Sequence, residues 1–330
     1  MREITFAEAT NEVLHQLMEG DESVFLIGQG VTSPWYVGRT TVGLIQRFGP
    51  KRVIDTPVSE NAVAGTAVGA ALAGLRPILA FPRMDFMYYA MDQIVNHAAS
   101  WHYMFGGQAH VPLTIWAMIN RGGEQAAQHS QAIQSMLMHV PGLKVVMPST
   151  PADAKGLLRA CVYDNNPVVY VDDRWLYQTS GEVPEEPYSV PLGRAVVRRA
   201  GADATVAALS YMVDESLRAA GCLAEEGISL EVIDLRSLKP LDVDLLVAST
   251  ARTGRLVVAD GGWRTAGAAA ELAARVTELA FDSLKAPVAR VTLPDAPAPA
   301  SSSLEEAYYP RARDIAQAAR RLLDAGRDGV

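Results

Sequence analysis

Val53-Ile54-Asp55-Thr56-Pro57-Val58-Ser59-Glu60-Asn61 passes from a short apolar run through a polar turn into a stretch of Ala, Gly and Val that ends at Leu75. The pattern predicts a buried strand giving way to a helix, with the Glu60 carboxylate set where the helix opens. Gln128-His129-Ser130-Gln131 has the same setting. It follows the apolar run Pro112-Leu113-Thr114-Ile115-Trp116 and opens a helical pattern over residues 129–139. Placed in one parallel sheet, Glu60 and His129 converge at the carboxyl edge, where open α/β sheets bind ligands. A carboxylate and an imidazole in one cleft are the groups that proton-transfer chemistry uses.

Working outward, Val24-Phe25-Leu26-Ile27-Gly28 and Pro77-Ile78-Leu79-Ala80 read as strands, and residues 86–105 as a helix. Leu143-Lys144-Val145-Val146-Met147-Pro148 and Pro167-Val168-Val169-Tyr170-Val171 are further strands, separated by a helix over 152–163. Such alternation predicts a parallel sheet covered on both faces. Gly181-Glu182-Val183-Pro184-Glu185-Glu186-Pro187-Tyr188 breaks the rhythm as a proline-rich, acidic surface linker would. A second alternation follows, with strands at 204–209, 230–235, 256–259 and 288–291 and helices over 213–226 and 268–281. The expectation is α/β with two parallel-sheet three-layer domains, 1–190 and 191–330.

A chain of 330 residues, 49% hydrophobic and 20% charged, holds enough apolar mass for two such cores. The net charge of -8 argues against nucleic acid or an anionic membrane as partner. No signal-peptide pattern opens the chain, and no uncharged apolar run is long enough for a membrane span. Cys161 and Cys222, each in a helical stretch with apolar neighbours, read as core thiols in a reducing cytoplasm.

Taken singly, each candidate residue has an ordinary structural reading. Glu60 suits the positive end of a helix dipole, and a histidine at a helix start more often caps or packs than reacts. The surroundings tilt the balance for His129, because Gly122-Gly123, Glu124, Gln125 and Gln128 make a polar, glycine-bearing loop after a strand. Phe86, Tyr88 and Tyr89 offer aromatic faces on which a flat cofactor ring could stack. Asp92-Gln93-Ile94-Val95-Asn96 reads as polar anchoring at an interface. The glycines between Gly30 and Gly38 are too sparse for a dinucleotide fingerprint, and no P-loop, zinc spacing or nucleophile elbow occurs. Nor is there a Gly-Asp-Gly with a distant Asn for a magnesium diphosphate; Asp260-Gly261-Gly262-Trp263 comes nearest, in the second half.

Together these segments resemble the beta subunit of thiamine-diphosphate-dependent 2-oxo-acid dehydrogenases of the pyruvate, branched-chain or acetoin type, within the transketolase-like superfamily. The landmarks are Arg52-Val53-Ile54-Asp55-Thr56-Pro57, Gly74-Leu75-Arg76-Pro77, Asp92-Gln93-Ile94-Val95-Asn96, Gln128-His129-Ser130-Gln131 and Pro141-Gly142-Leu143-Lys144-Val145-Val146. Asp153-Ala154-Lys155-Gly156-Leu157-Leu158, Asp164-Asn165-Asn166-Pro167 and Glu231-Val232-Ile233-Asp234-Leu235-Arg236 follow, so the likeness covers almost the whole chain. It implies a pyrimidine-binding domain, a transketolase C-terminal-type domain and a partner alpha subunit, two of each, with the alpha subunit holding the Mg2+ diphosphate. It also implies docking to a lipoyl acyltransferase core. Glu60 matches the glutamate that bonds the aminopyrimidine ring, Phe86 an aromatic that packs on it, and His129 the histidine that assists acyl transfer to a lipoyl group. Gln29 and Tyr89 are expected beside the cofactor. The carbonyls of Leu113, Cys161, Val162, Asp164 and Asn166 match a structural K+ site of some members.

The chain also departs from that pattern. Gly28-Gln29-Gly30-Val31 stands where Gly-Glu-Asp-Val is usual, and Ser33-Pro34-Trp35-Tyr36 replaces a glycine-rich turn. Trp116-Ala117-Met118 replaces an arginine and Gly-Pro, and the loop to His129 carries Arg121 and Glu124. Changes gathered around the expected site point to an altered donor or acceptor. Two other readings stand beside the dehydrogenase. One is a split transketolase or carboligase taking a two-carbon ketol unit; the other is a non-catalytic assembly subunit.

Overall fold

The computed structural model describes residues 1–33 and 35–325; Pro34, within one of the departures above, lies outside them. The chain divides into two compact units. The first holds Met1–Arg121 and Gln128–Leu192, and the second holds Gly122–Ala127 together with the chain from Gly193 onward.

In the first unit, β1 (Arg2–Thr5) pairs antiparallel with β8 (Ser180–Val183). The segment read as linker therefore begins as a strand. Between them run β2 (Val24–Gly28), β3 (Val53–Asp55), β4 (Arg76–Phe81), β5 (Thr114–Ile119), β6 (Lys144–Val146) and β7 (Val168–Asp173). These lie in the order β6-β7-β5-β4-β2-β3, every pair parallel. The order changes direction across the sheet, so strands before and after the switch end side by side.

The Phe6–Gly20 helix, which the sequence reading did not single out, begins with a reciprocal cap. Thr5 Oγ1 accepts the Glu8 N–H at 3.2 Å, and a Glu8 carboxylate oxygen accepts the Thr5 N–H at 2.8 Å. Its apolar stripe (Val13, Leu14, Leu17 and Met18) joins Leu26, Trp116, Met118 and Tyr170 in one buried cluster. The helix Glu60–Leu72 buries Ala64, Ala67, Val68 and Ala71. Gly65 lets Gln93 come close: a Cβ there would sit 3.3 Å from the Gln93 side-chain oxygen.

The helix read over 86–105 is three windings: a 3-10 segment Met84–Ala90, a π-helical segment Asp92–Ala98 and a short α turn Trp101–Met104. The wide winding shows where the Ala99 N–H reaches back to the Ile94 carbonyl at 3.0 Å. Apolar spacing of three to four residues suits all three windings, so it does not tell them apart.

In the second unit, β9 (Val196–Arg199), β10 (Ala204–Ala208), β11 (Leu230–Asp234), a short β12 (Ser237–Lys239), β13 (Leu256–Trp263) and β14 (Ala289–Leu293) follow in sequence. A five-stranded sheet has the order β14-β13-β10-β11-β9. Its inner pairs are parallel, but β9 runs antiparallel to β11. This sheet is thus mixed rather than all-parallel. No crossover helix precedes β9, and its paired arginines mark a partly solvated edge, where one antiparallel strand is common on a parallel sheet. Cys161 is buried as expected, whereas Cys222 is exposed on the helix Tyr211–Ala224. Its apolar neighbours turn inward and the thiol does not.

Candidate active site

The register Gly28↔Asp55 and Gly28↔Ala80 brings the carboxyl ends of β2, β3 and β4 together. There they frame a small pocket with a cavity volume of about 20 Å³, partly open to solvent. Its wall includes Gln29, Tyr36, Glu60, Leu79, Phe81 and Phe86. Gly28 is required by the approach of β4, because a Cβ at that position would lie 2.4 Å from the Ala80 carbonyl oxygen.

The turn that carries Gln29 is held by Asp55. One oxygen of this carboxylate accepts the Gly30 N–H at 2.7 Å, and the other accepts the Thr32 hydroxyl. Gly30 has φ +69°, and the Tyr36 ring occupies the space its Cβ would fill. From behind, Arg174 donates to the Tyr36 carbonyl at 2.5 Å and Asn120 to the Pro82 carbonyl at 3.0 Å. The Arg83 guanidinium lies 5.5 Å from the centre of the Tyr36 ring. Fixed backbone and braced aromatics make a preformed pocket rather than a flexible one.

Glu60 is the first residue of its helix and lines the pocket half-buried. Phe86 lines it from the facing 3-10 segment. His129 is not among the described lining residues, but its ring meets Phe86 edge to face, centroids 5.6 Å apart at 86°. Burial, aided by the Arg83 charge, lowers the His129 pKa, which favours a neutral imidazole. Glu60, Phe86, His129 and Gln29 therefore gather in one region. Tyr89 is 71% exposed and is not among the lining residues.

His129 does not open a helix. The helix begins at Gln134, and residues 127–129 form a turn. Left-handed backbone at Gly122, Gly123, Glu124 and Ala126 precludes helix over the approach to it. The Gln131 N–H donates instead to an Asp85 carboxylate oxygen at 3.0 Å.

Of the carbonyls expected to cradle a potassium ion, those of Cys161, Val162, Asp164 and Asn166 lie close together in the chain and that of Leu113 on another segment, and a cation already reaches two of them. Arg76 donates to the Val162 carbonyl at 2.9 Å and to the Asp164 carbonyl at 3.2 Å. Cys161 and Leu113 carbonyls accept the N–H groups of Asp164 and Val168, and Lys144 pairs with the Asp164 carboxylate. Arg76 also reaches the Asn165 side chain at 3.1 Å.

Two of the departures are bound into buried polar pairs. Trp116 Nε1 donates to Asp172 at 2.9 Å, and Tyr177 donates to the same oxygen at 3.1 Å. Arg121, 1% exposed, pairs with Asp173 at 2.6 Å. The Glu124 N–H donates to the Glu305 carboxylate at 3.2 and 3.3 Å, inside the second unit. Sequence reasoning set Tyr36 among the changes near the site but missed the bracing by Asp55 and the presence of Arg83 and Asp85. Asp55 stood in the opening stretch, and a carboxylate closing a parallel strand beside a Gly-x-Gly turn was its available signal.

A two-domain α/β protein with a pocket at a strand-order switch, an acid at one wall and a histidine beside it is of the transketolase class. Comparison with known proteins agrees. Residues 2–179 match the family described as transketolase, pyrimidine binding domain, and residues 193–315 match transketolase, C-terminal domain. The beta subunit of acetoin:2,6-dichlorophenolindophenol oxidoreductase from Cupriavidus necator is 43% identical, with 99% of each chain covered. The pyruvate dehydrogenase E1 beta subunit of Rickettsia felis is 42% identical, covering 97% of this chain and 98% of that one. A solved structure titled split gene transketolase, inactive beta4 tetramer, superposes with TM-score 0.80 at 25% identity, covering 98% of this chain and 99% of that one. The chain belongs to the family of beta subunits of thiamine-diphosphate-dependent 2-oxo-acid dehydrogenases and acetoin oxidoreductases.

Proposed function

We propose that this beta subunit, paired with an alpha subunit, completes an enzyme that oxidatively decarboxylates a 2-oxo acid and passes the acyl group to lipoamide. The observation that carries this reading is the pocket in which Glu60 faces Phe86, with His129 against the same ring. Its lining suits the pyrimidine of thiamine diphosphate: an aromatic face, a carboxylate for a ring nitrogen and apolar walls. When bound, the cofactor supplies the electron sink that decarboxylation requires and no side chain offers. Glu60 would hold and return a proton at the ring nitrogen, Phe86 would pack on the ring, and Gln29 would lie at its edge. His129, once protonated to the imidazolium, would give its proton to one lipoyl sulfur as the S–S bond opens and the other sulfur takes the acyl group, leaving the neutral imidazole that burial and Arg83 favour.

Residues 1–190 serve as the pyrimidine-binding domain and 191–330 as the C-terminal-type domain, the latter docking to a lipoyl acyltransferase core. The alpha subunit holds the Mg2+ diphosphate in an assembly of two alpha and two beta chains. The loop around Val162 and Asp164 is the place for a K+ ion, beside the fixed charge of Arg76. Two free cysteines suit the cytoplasm, and no described helix is long and apolar enough to cross a membrane.

Arg83, a cation on the pocket wall, favours an anionic donor over neutral acetoin. It also suits a ketose phosphate, which keeps the split transketolase or carboligase as the second reading. The deciding experiment co-expresses the chain with an alpha-subunit candidate and screens 2-oxo acids, acetoin and ketose phosphates. Each donor is offered a lipoyl domain or 2,6-dichlorophenolindophenol. Acylation of the lipoyl domain from a 2-oxo acid is the expected result. Turnover only of a ketose phosphate with an aldehyde acceptor would establish the second reading instead.

A further inference from the structure

His129 has no helix to hold it, and two restraints on its position come from one short piece of chain. Within Met84–Ala90, Phe86 meets the imidazole edge to face and Asp85 accepts the Gln131 N–H, two residues further on. Asp85 is only 4% exposed. One carboxylate oxygen makes the bond to Gln131, while the other is buried with no hydrogen-bond partner among the described residues. A buried carboxylate with so little compensation is costly, and a packed apolar residue would be more stable there. Burial pushes its pKa up to about 6, against the opposing pull of the Gln131 N–H and the Arg83 charge. Such a group is retained for what it holds in place, and what it holds is the backbone beside His129.

We propose that Asp85 is a positioning residue for His129, its carboxylate fixing the Gln131 N–H so that the imidazole stays against Phe86, which lines the pocket. The inference rests on the reading that His129 serves acyl transfer to the lipoyl group, and it adds how that ring is kept in place. A bond from a carboxylate to a backbone N–H is among the stronger neutral-donor bonds, which suits it to pinning a glycine-flanked turn. Misplacing a reacting group by about 1 Å can cost on the order of 100-fold in rate.

The test uses the assembled alpha–beta complex with the 2-oxo acid identified by the screen, in two assays. One follows acylation of a lipoyl domain, which needs His129; the other follows reduction of 2,6-dichlorophenolindophenol, which does not. Asp85→Ala is expected to lower kcat for lipoyl acylation by roughly 30- to 100-fold, with KM for the donor little changed and dye reduction within about 3-fold. Asp85→Asn keeps an acceptor for the Gln131 N–H and is expected to recover most of that loss. Hydrogen–deuterium exchange supplies a readout apart from activity: amides of 128–133 should exchange about tenfold faster in the Ala variant and near the unmodified rate in the Asn variant. Equal losses in both assays, or an Asn variant no better than Ala, would overturn the proposal. If the Ala variant fails to assemble, the Asn variant alone decides, because a positioning role requires its lipoyl rate and its exchange to stay near the unmodified values. His129→Ala separates the two claims. Should it leave the lipoyl assay no worse than the dye assay, the acyl-transfer role of His129 fails; should it split the assays while Asp85→Ala does not, only the positioning role fails.

Discussion

Asp172 sits fully inside the first unit, accepting from Trp116 and Tyr177 through one oxygen. Its other oxygen is buried without a partner among the described residues. Burial outweighs those bonds and raises its pKa to about 7. The folded protein then binds this proton more tightly than the unfolded chain. The stabilisation is complete below pH ~4 and is lost as pH rises through about 7. Urea melts should therefore show stability falling with pH over this interval, at up to about 1.4 kcal/mol per pH unit from this group. Asp172→Asn, which keeps an acceptor for both donors, should flatten that slope. His129 titrates with the opposite concern: its pKa is lowered by burial and by Arg83. Arg83→Gln should raise it, moving the alkaline limb of the lipoyl-acylation pH profile, where the imidazolium donor is lost, upward. An unmoved limb would mean that Arg83 does not act on the imidazole. At this scale the sequence showed which residues could react but not what braces them. Glu60, Phe86 and His129 were legible because each stands at a junction that strand and helix patterns reveal. Asp85 and Asp172 were not, because nothing local marks a polar residue that will be buried.

Elements were legible to the extent that one winding owned the pattern. The inner strands are short apolar runs bounded by turn formers and came through with small shifts of boundary. β9 was missed because half its residues are basic, and β1 because it is brief and partly exposed. The turn at Gly142 shows why the segment after the His129 loop must be what it is. Its φ is +90°, and a Cβ would lie 2.0 Å from the Ala99 carbonyl oxygen, which is backbone and cannot swing away. Gly142→Ala should cost about 2 kcal/mol or more, combining left-handed strain with that collision. Gly49, at φ +74° with nothing within 4 Å of the Cβ position, is the matched control. Its alanine variant should cost about 1 kcal/mol, strain alone. Equal losses in thermal melts would remove the collision from the account.

Across the whole molecule, several large apolar side chains lie open: Tyr89, Tyr103 at 90% exposure, Met104 and Phe105. Chains without a partner rarely leave aromatic groups so exposed. Expressed alone, the beta chain is expected to self-associate and turn over no donor, and co-expression with the alpha chain should replace those oligomers by a mixed complex. Light scattering coupled to size exclusion reads both states; a stable, active beta monomer would contradict this. Melting in potassium against choline chloride tests the cation loop, where a higher midpoint in potassium is the result that supports a bound ion. The family was legible in the sequence because its landmarks span both units. The donor was not, since the pocket wall of one chain is only part of what meets it.

The Arg121–Asp173 pair bears on how this chain can change. Both side chains are almost wholly enclosed, so exchanging either one alone strands a charge in the interior, at roughly 3–5 kcal/mol. Replacing both with uncharged residues, as in Arg121→Met with Asp173→Asn, should cost far less. Single-step inheritance is thus obstructed at this pair in both directions. A lineage leaves the present arrangement by a double substitution, or by a neutral third residue that lets one partner go first. Mutational scans that change one position at a time will therefore report these sites as immovable, although the pair is free to be exchanged as a unit.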